Sequence, residues 1–145
     1  MRIRTARFGV LELNNDRVIH FPWGMPGFEG LKRYVLLEYD PEPLRWLQAV
    51  DDPNVAFIVC PPEALGVKYY VPHVRTLPLG LESKEDLLVL IMISINRVDL
   101  SIRPHLRGPL LFNIQNRSGY QWTMDSKELD QYLRPMKEPR RTSKL

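Results

Sequence analysis

Residues that could carry acid–base, nucleophilic or metal chemistry are few and widely separated in this 145-residue chain. The three histidines, His20, His73 and His105, have no nearby ligand at the spacing that zinc sites use. Cys60 is the single cysteine, and it ends an apolar segment, which favours a buried structural thiol over a reactive nucleophile. A lone cysteine also excludes an internal disulfide and indicates a reducing compartment. The sequence therefore predicts no catalytic, cofactor-binding or metal-binding residues, and a protein that is not an enzyme.

Basic and aromatic residues could serve a second kind of chemistry, the binding of nucleic acid. Lys68, Tyr69 and Tyr70 interleave a base with aromatic rings, as base-stacking platforms do, although aromatics on a strand are more often core or protein interface. Residues 131–145 hold five of the 20 basic residues and one of the 17 acidic residues, which leaves 15 basic and 16 acidic residues in 1–130. The net charge of +3 therefore comes from the tail, whereas nucleic-acid-binding domains usually carry basic charge on a folded face. We expect no direct binding of nucleic acid.

Short segments rich in β-branched and aromatic residues alternate with turn residues along most of the chain. The predicted strands are 8–13, 17–21, 33–39, 45–50, 55–60, 68–71, 87–95, 110–114 and 120–124. The first two strands are expected to pair as a hairpin across 14–16, and the last two across 116–119. Ser83 is expected to begin a short helical turn before the next strand. Asp125 is expected to cap a short helix over 126–133.

This strand pattern predicts an all-β protein: a small single-domain β-barrel-like fold with a short C-terminal helix and a disordered basic tail. The domain is expected to cover residues 1–133 and the tail residues 134–145, which are polar and charged. The longest apolar run, residues 87–95, is far shorter than the roughly 20 residues that span a membrane. The N-terminal residues do not resemble a signal peptide. We therefore expect a cytoplasmic protein with no membrane partner.

One stretch, residues 21–30, combines prolines and glycines with large apolar side chains. Proline fixes φ and glycine adopts angles that other residues avoid, so this stretch is predicted to be a loop. Its apolar side chains, which are expected to pack onto the body, are Phe21, Trp23, Met25 and Phe28. Such a loop is a rigid connector that plugs one end of a barrel, or a preshaped surface for a partner, since rigid loops lose little entropy on binding.

The centre of this loop has the sequence of a tight turn. Gly27 is expected to adopt a positive φ as the second central residue of a type II turn, with Pro26 as the first. Phe28 is expected to be a buried anchor that fixes the loop to the barrel. Glu29 is then expected to point outward, as a charge that is available to a basic partner.

Four short motifs resemble the FliW family of flagellar assembly factors, in the same order and over roughly residues 1–125. The motifs are Pro26-Gly27-Phe28-Glu29, similar to I/L-P-G-F-E; Trp46-Leu47-Gln48, similar to F/W-L-Q-S; His105-Leu106-Arg107-Gly108-Pro109-Leu110 followed by Asn113, similar to N-L-R/Q-A-P-I-x-x-N; and Gly119 with Gln121, similar to G-x-Q. Ala49, His105 and Gly108 stand where the family pattern has serine, asparagine and alanine. The basic tail is not part of the family pattern.

The resemblance implies a compact β-barrel-like regulator without enzymatic activity that works in the cytoplasm. FliW-like proteins bind flagellin, and they also bind CsrA, a small RNA-binding translational repressor. When flagellin is scarce or exported, the free FliW-like protein removes CsrA from the flagellin message, and this antagonism is allosteric. We further expect that the chain is a monomer when it is free.

Partner contacts are expected from residues of these motifs and from the two tyrosines of the basic–aromatic segment. The candidate residues are Phe28, Glu29, Gln48, Tyr69, Tyr70, Arg107, Asn113 and Gln121. A direct RNA-binding β-barrel protein is the alternative, and it requires the segment 68–70 and the basic tail to join into one face. An enzyme would instead require a deep polar pocket with convergent titratable groups.

Overall fold

The computed structural model describes residues 1–136, and these residues form mainly β-strands. The strands are β1 (Arg2–Thr5), β2 (Gly9–Glu12), β3 (Ile19–His20), β4 (Arg33–Glu38), β5 (Arg45–Ala49), β6 (Ala56–Cys60), β7 (Val67–Tyr69), β8 (Leu87–Ile95), β9 (Ile102–Pro104), β10 (Leu110–Asn113), β11 (Ser118–Gln121) and β12 (Leu133–Pro135). The helices are α1 (His73–Thr76) and α2 (Ser126–Tyr132), and short 3₁₀ turns cover Asn15–Arg17, Pro62–Leu65, Leu77–Leu79 and Lys84–Asp86. The all-β prediction is confirmed. No helix in this described part of the chain is long and apolar enough to cross a membrane.

One large sheet closes into a barrel-like ring. Its strand order is β10–β11–β3–β4–β5–β6–β8–β9, and β8 also pairs with β10, which closes the ring. Neighbouring strands of the ring are antiparallel except β11 and β3, which run parallel and meet at Ser118 and His20. Two further ribbons, β1–β2 and β7–β12, form separate small sheets. The ring positions the loops that connect its strands.

Strand β8 explains why residues 87–95 are apolar throughout. Its first residues pair with β10 and its later residues with β6 and β9. Leu90 packs in the core inside the ring, whereas Ile91 packs in a second core on the outer face. Successive side chains of a strand point to opposite faces, and both faces of this strand are covered. The predicted central strand is confirmed.

The main core fills the inside of the ring, and two smaller cores lie on its outer faces. The buried residues of the inner core are Phe21, Met25, Tyr34, Leu47, Ala49, Val59, Leu90, Leu110 and Phe112. One outer core contains Ile3 and Trp46, and the other contains Tyr69 and Trp122. Each fully buried side chain of this size stabilises the fold by roughly 1.5–3 kcal/mol. Because the sheet is covered on both sides, even a polar side chain in its middle is removed from solvent.

The predicted hairpin between segments 8–13 and 17–21 is wrong. Strand β2 pairs with β1, and the Thr5 hydroxyl closes their turn by accepting the Phe8 N–H at 2.7 Å and donating to the Gly9 carbonyl at 2.9 Å. Strand β3 pairs with β4 and β11 instead. The 3₁₀ turn between β2 and β3 leads the chain from the ribbon to the ring, which prevents the two strands from pairing.

Helix α2 begins as predicted. The Asp125 carboxylate accepts the N–H of Glu128 at 2.8 Å, and the Glu128 carboxylate accepts the N–H of Asp125 at 3.3 Å, which forms a capping box. The helix ends at Tyr132, and β12 then pairs with β7, so the expected boundary after residue 133 falls inside a strand. Residues 137–145 of the predicted tail lie outside the residues that the structure describes.

Candidate protein-binding site

Loop 21–30, which connects β3 to β4, is fixed to the body by two of its apolar side chains. Phe21 and Met25 are buried and belong to the core inside the ring. The Phe21 ring packs edge-on against Tyr34 and Phe112, with centroids 5.0 Å and 5.7 Å away. The loop therefore forms part of the core that it was expected to cover.

Two glycines set the backbone of this loop. Gly27 has a φ of +86°, and the Phe28 N–H donates to the Met25 carbonyl at 2.7 Å, so the predicted turn is confirmed. Gly24 has a φ of +66°, and a Cβ placed there would lie 2.6 Å from the Cα and the carbonyl oxygen of Glu29. Only glycine fits at this position. The sequence analysis missed Gly24, because no local pattern reports how closely two backbone segments approach each other.

The other two apolar side chains of the loop remain in contact with solvent. The predicted burial of Phe28 is wrong, because 37% of this residue is exposed. Its ring packs edge-on against Phe57 at a centroid distance of 5.2 Å, while the space in the inner core is taken by the two buried side chains of the loop. Trp23 is 57% exposed and packs edge-on against Tyr120 at 6.1 Å. The loop thus presents two aromatic rings that are supported on one side and open on the other.

Glu29 is exposed, as predicted, and its carboxylate is held by the turn before it. Its Oε2 accepts the N–H of Gly27 at 3.0 Å. Hydrogen bonds from its own backbone N–H and from that of Gly27, with a contribution from the positive charge of Lys32, lower the pKa of Glu29. Glu29 is therefore an anion at neutral pH, and its carboxylate is hydrogen-bonded to the turn that also carries Phe28.

Gln48 is fully buried in β5 and stabilises the turn that follows this strand. Its Nε2 lies near the carbonyl oxygens of Ala49 (3.0 Å), Val55 (3.2 Å), Asp52 (3.3 Å) and Pro53 (3.4 Å). Its Oε1 is buried without a hydrogen-bond partner among the residues that the structure describes. From this position the side chain cannot touch a docked protein, so we assign it a structural role.

Asn113 on β10 is buried in a similar way. Its Nδ2 donates to the Leu79 carbonyl at 3.0 Å, and its Oδ1 accepts the Gln115 N–H at 2.9 Å. The Asn116 side chain donates to the same Leu79 carbonyl at 3.0 Å. The two asparagines therefore fasten the 3₁₀ turn that contains Leu79 to the hairpin of β10 and β11.

The predicted basic–aromatic segment is divided between the two faces of the β7–β12 ribbon. Tyr69 is buried, its hydroxyl donates to the Leu106 carbonyl, and burial raises its pKa. Tyr70 is 64% exposed and stacks on Tyr132, with ring planes 13° apart. Lys68 is exposed. The side chains of Lys68, Tyr69 and Tyr70 therefore do not form one stacking platform.

Arg107 and Gln121 lie on two segments that meet beside β10. Arg107 is exposed, and its Nη1 donates to the Ser126 hydroxyl at 3.3 Å. Gln121 is half-buried, and its Nε2 donates to the Gly108 carbonyl at 3.0 Å. A Cβ at Gly108 would overlap the amide of Gln121. Gly108 stands where the family pattern has alanine, and its lack of a Cβ leaves room for the hydrogen bond from Gln121.

The predicted contact residues therefore differ in exposure and do not form one site. The exposed ones are Phe28, Glu29, Tyr70 and Arg107. Two of these are adjacent on loop 21–30, and the same loop adds Trp23, which the sequence analysis assigned to packing alone. The position of Trp23 between Pro22 and Gly24 could have indicated an exposed aromatic side chain on a loop. We take Trp23, Phe28 and Glu29 as the candidate site.

The histidines are dispersed over different elements. His20, His73 and His105 are exposed, and the Nε2 of His105 lies 2.9 Å from the Ser94 hydroxyl. Among residues 1–136, no group of three or more His, Cys, Asp or Glu side chains is placed to hold a metal ion. Within residues 1–136, His105 therefore has one hydroxyl partner and belongs to no cluster of metal ligands.

Cys60 ends β6 as a buried thiol that is 1% exposed. Burial raises the pKa of this thiol, and the negative charge of Glu63 adds to the effect. The neutral form therefore prevails at neutral pH, and a neutral thiol is a poor nucleophile. The predicted structural thiol is confirmed.

Known proteins resemble this chain along most of its length. The sequence profile of the family described as FliW protein matches residues 2–133. The flagellar assembly factor FliW of Azoarcus sp. (strain BH72) is 34% identical over 143 residues, which cover 92% of this chain and 98% of that protein. The protein of the same name from Treponema denticola is 35% identical, with 83% of this chain and 84% of that protein covered. A crystal structure of the flagellar assembly factor FliW has the same fold, with a TM-score of 0.78 at 22% identity, over 87% of this chain and 90% of that one.

Proposed function

Because the chain belongs to the FliW family, we propose that it binds flagellin and the translational repressor CsrA as alternative partners. When it is free of flagellin, it removes CsrA from the flagellin message and so relieves repression of flagellin mRNA translation. It does this in the cytoplasm, as a monomer and without catalysis. The family assignment and the four motifs in register support this proposal.

The exposed side chains of loop 21–30 are the proposed contact with a partner. Trp23 and Phe28 expose apolar surface, and Glu29 of the same loop adds a negative charge. The backbone that carries them is fixed by two buried anchors and two positive-φ glycines, so little conformational entropy is lost on binding. Exposed aromatics on a rigid support often dominate the energy of protein interfaces. This fixed arrangement of aromatic and acidic groups is the observation that carries the proposal.

Direct RNA binding is the alternative that the sequence left open. It requires the segment 68–70 and the basic tail to share one face, and β7–β12 pairing does place Arg134 opposite Lys68. Tyr69 is buried, however, and Tyr70 packs against Tyr132, so only one tyrosine of the segment has a ring face open to base stacking. We therefore propose protein partners over RNA.

Size-exclusion chromatography with purified flagellin and CsrA tests the choice of partners. We expect a binary complex with each protein, and release of CsrA when flagellin is added. A stable ternary complex would contradict binding of the two partners as alternatives. Failure to form either binary complex would contradict the assignment of that partner. A salt-steep titration against flagellin leader RNA that survives deletion of residues 134–145 would favour the RNA-binding alternative.

Calorimetric titration of Trp23→Ala tests the proposed contact loop. We expect at least about tenfold weaker binding to flagellin or CsrA, because truncating an interface hot spot costs about 2 kcal/mol or more. Val98→Ala is the matched control, since Val98 is 94% exposed on the connection between β8 and β9, and it should bind like the parent. Parental affinity of Trp23→Ala for both proteins would place the contact outside this loop.

A further inference from the structure

A groove of about 640 Å³ lies beside the β7–β12 ribbon and shares no residue with loop 21–30. Its floor is apolar and is formed by Val71, Leu81, Leu87 and Val89, all of them partly buried. A concave site of this size, with an apolar floor and a few polar groups at its edge, is typical of ligand-binding sites. The groove therefore has the volume and the apolar surface to receive a side chain of a partner.

Positive charge is concentrated at the rim of this groove. Lys68 and Arg134 are directly opposite each other in the β7–β12 ribbon, and Lys84 lines the groove from the 3₁₀ turn before β8. Like charges at opposite positions of a strand pair destabilise that pair. Glu82 is the single carboxylate among the described residues that line the groove, and none of these four side chains forms an ion pair within residues 1–136.

Arg134 is held in place by the end of helix α2. Its Nη1 donates to the carbonyls of Asp130 at 3.0 Å and Leu133 at 3.1 Å. The guanidinium carries five N–H donors in a planar fork, so these two bonds leave other donors to an anion. An arginine that is already positioned loses less side-chain entropy when it binds a carboxylate.

We propose that this groove binds an acidic segment of a partner protein, with an apolar side chain on the floor and a carboxylate between Lys68 and Arg134. The carboxylate offsets the repulsion between the two cations, and the floor removes apolar surface of the partner from water. This surface is additional to loop 21–30, and the inference rests on the proposal that the chain is a protein-binding regulator.

The lining of the groove favours a peptide over RNA as the occupant. Its floor consists of aliphatic side chains, whereas single-stranded nucleic acids are bound by stacking of bases on open aromatic faces. Tyr69 is buried, and Tyr70 is covered on one face by Tyr132. An acidic peptide needs one carboxylate near the cation pair and one apolar side chain, which is what the groove accommodates.

Fluorescence anisotropy with short labelled peptides tests the chemistry of the occupant. The probe is a terminally blocked peptide of alternating glutamate and leucine, added to the full chain at low salt. We expect at least tenfold weaker binding when every glutamate is replaced by lysine, and also when every leucine is replaced by serine. Equal binding of the three peptides, or tighter binding of a single-stranded RNA of matched charge, would overturn the inference.

Lys68→Glu locates the binding of this peptide, and Lys127→Glu is its control because it makes the same charge change on an exposed position of α2 outside the groove lining. We expect at least tenfold weaker binding for Lys68→Glu and less than a twofold change for Lys127→Glu. The Tm of Lys68→Glu should equal or exceed that of the parent, because it places opposite charges across the ribbon. Equal losses in the two variants would show that only net charge matters, and would overturn the inference.

The two proposals fail in distinguishable ways. If the parent chain binds flagellin and CsrA but does not bind the peptide, only the groove proposal is overturned. Peptide binding that depends on Lys68, in a chain that binds neither flagellin nor CsrA, overturns the proposed partners and leaves the groove as an acidic-peptide site.

Discussion

Loop 21–30 and the turn 51–55 are both connections between ring strands, but they are stabilised in opposite ways. The loop is held by its own residues, because Gly24 and Gly27 adopt positive φ and the buried side chains of Phe21 and Met25 fill the core. Its remaining side chains are therefore free to meet a partner. The exposed aromatics of this loop are a consequence of that arrangement.

The turn 51–55 is held by side chains from both sides. From inside, the buried amide of Gln48 donates to carbonyls of the turn. From outside, the Asp51 carboxylate accepts hydrogen bonds from the Arg33 guanidinium at 2.6 Å and 3.1 Å. A connection that is held in this way uses its polar side chains for folding, so we do not expect it to contribute contacts. Substitutions in the two connections should therefore separate stability from binding.

The largest expected effect distinguishes the buried anchor of the loop from its exposed ring. Phe21→Ala should lower the free energy of unfolding by about 3–5 kcal/mol, as for other fully buried phenylalanines. Phe28→Ala should cost only about 1–2 kcal/mol, because more than a third of this residue is already exposed. Urea denaturation of both variants measures the difference. A Phe28→Ala variant that unfolds like the parent yet binds neither proposed partner would make Phe28 a binding hot spot with no anchoring role.

The two glycines of the loop offer a matched pair. Gly24→Ala should destabilise by about 3 kcal/mol, since a side chain there adds overlap with the Glu29 backbone to the strain of the left-handed conformation. Gly27→Ala should cost about 1–2 kcal/mol from backbone strain alone, because nothing lies within 4 Å of the added Cβ. Thermal melts would show this as two clearly separated Tm values. Equal decreases in Tm for Gly24→Ala and Gly27→Ala would mean that the loop moves to accommodate the side chain at position 24.

Gln48→Met removes the inner support of the turn while keeping a side chain of similar length. It should cost about 1–3 kcal/mol, because the buried Ala49 carbonyl and partly buried carbonyls of the turn lose a side-chain donor. Gln121→Met is the control, since Gln121 is half-buried and donates one hydrogen bond, and it should cost about 1 kcal/mol. Partner affinity, measured in the same samples, should be unchanged for Gln48→Met. Reduced affinity at parental stability would contradict its structural role.

The smallest expected effect is on the outer support, and it depends on pH. The hydrogen bond from Arg33 lowers the pKa of Asp51, so the pair stabilises the fold above pH about 4 and this contribution is lost as pH falls through the lowered pKa. Asp51→Asn should therefore cost less than about 1 kcal/mol at pH 7, because the pair is exposed. The difference between variant and parent should vanish in acid and shrink at high salt. A difference that persists below the lowered pKa would contradict this assignment.

Local sequence patterns predicted the elements that depend on neighbouring residues. Segments 33–39, 45–50 and 55–60 form β4, β5 and β6, each with one end shifted by one residue. Asp125 caps α2 because its partner is three residues away. The positive φ of Gly27 could likewise be predicted, since a type II turn is specified by two adjacent residues.

Pairing and burial depend on distant residues and could not be predicted in the same way. Segment Arg2–Thr5 is short and half of its residues are charged, yet as β1 it pairs with β2 and covers an outer core. Gln48 matches a family motif, but its burial follows from the cover on both faces of β5, where four successive residues are buried. The exposure of Phe28 depends on the space that Phe21 and Met25 occupy. When side chains from other parts of the chain fill the core, the local sequence does not show which residues are excluded from it.

The barrel-like ring has one thin seam. Strands β3 and β11 meet through a single register pair, Ser118 with His20, and the His20 N–H donates to the Arg117 carbonyl at 2.8 Å. Strands β4 and β5 are instead in register from Tyr34 to Glu38. Local opening breaks the fewest backbone bonds at this seam, so its amide hydrogens should exchange with deuterium ahead of those in β4 and β5. We therefore expect the ring to open first where loop 21–30 begins, because only a few backbone hydrogen bonds join β3 to β11 there.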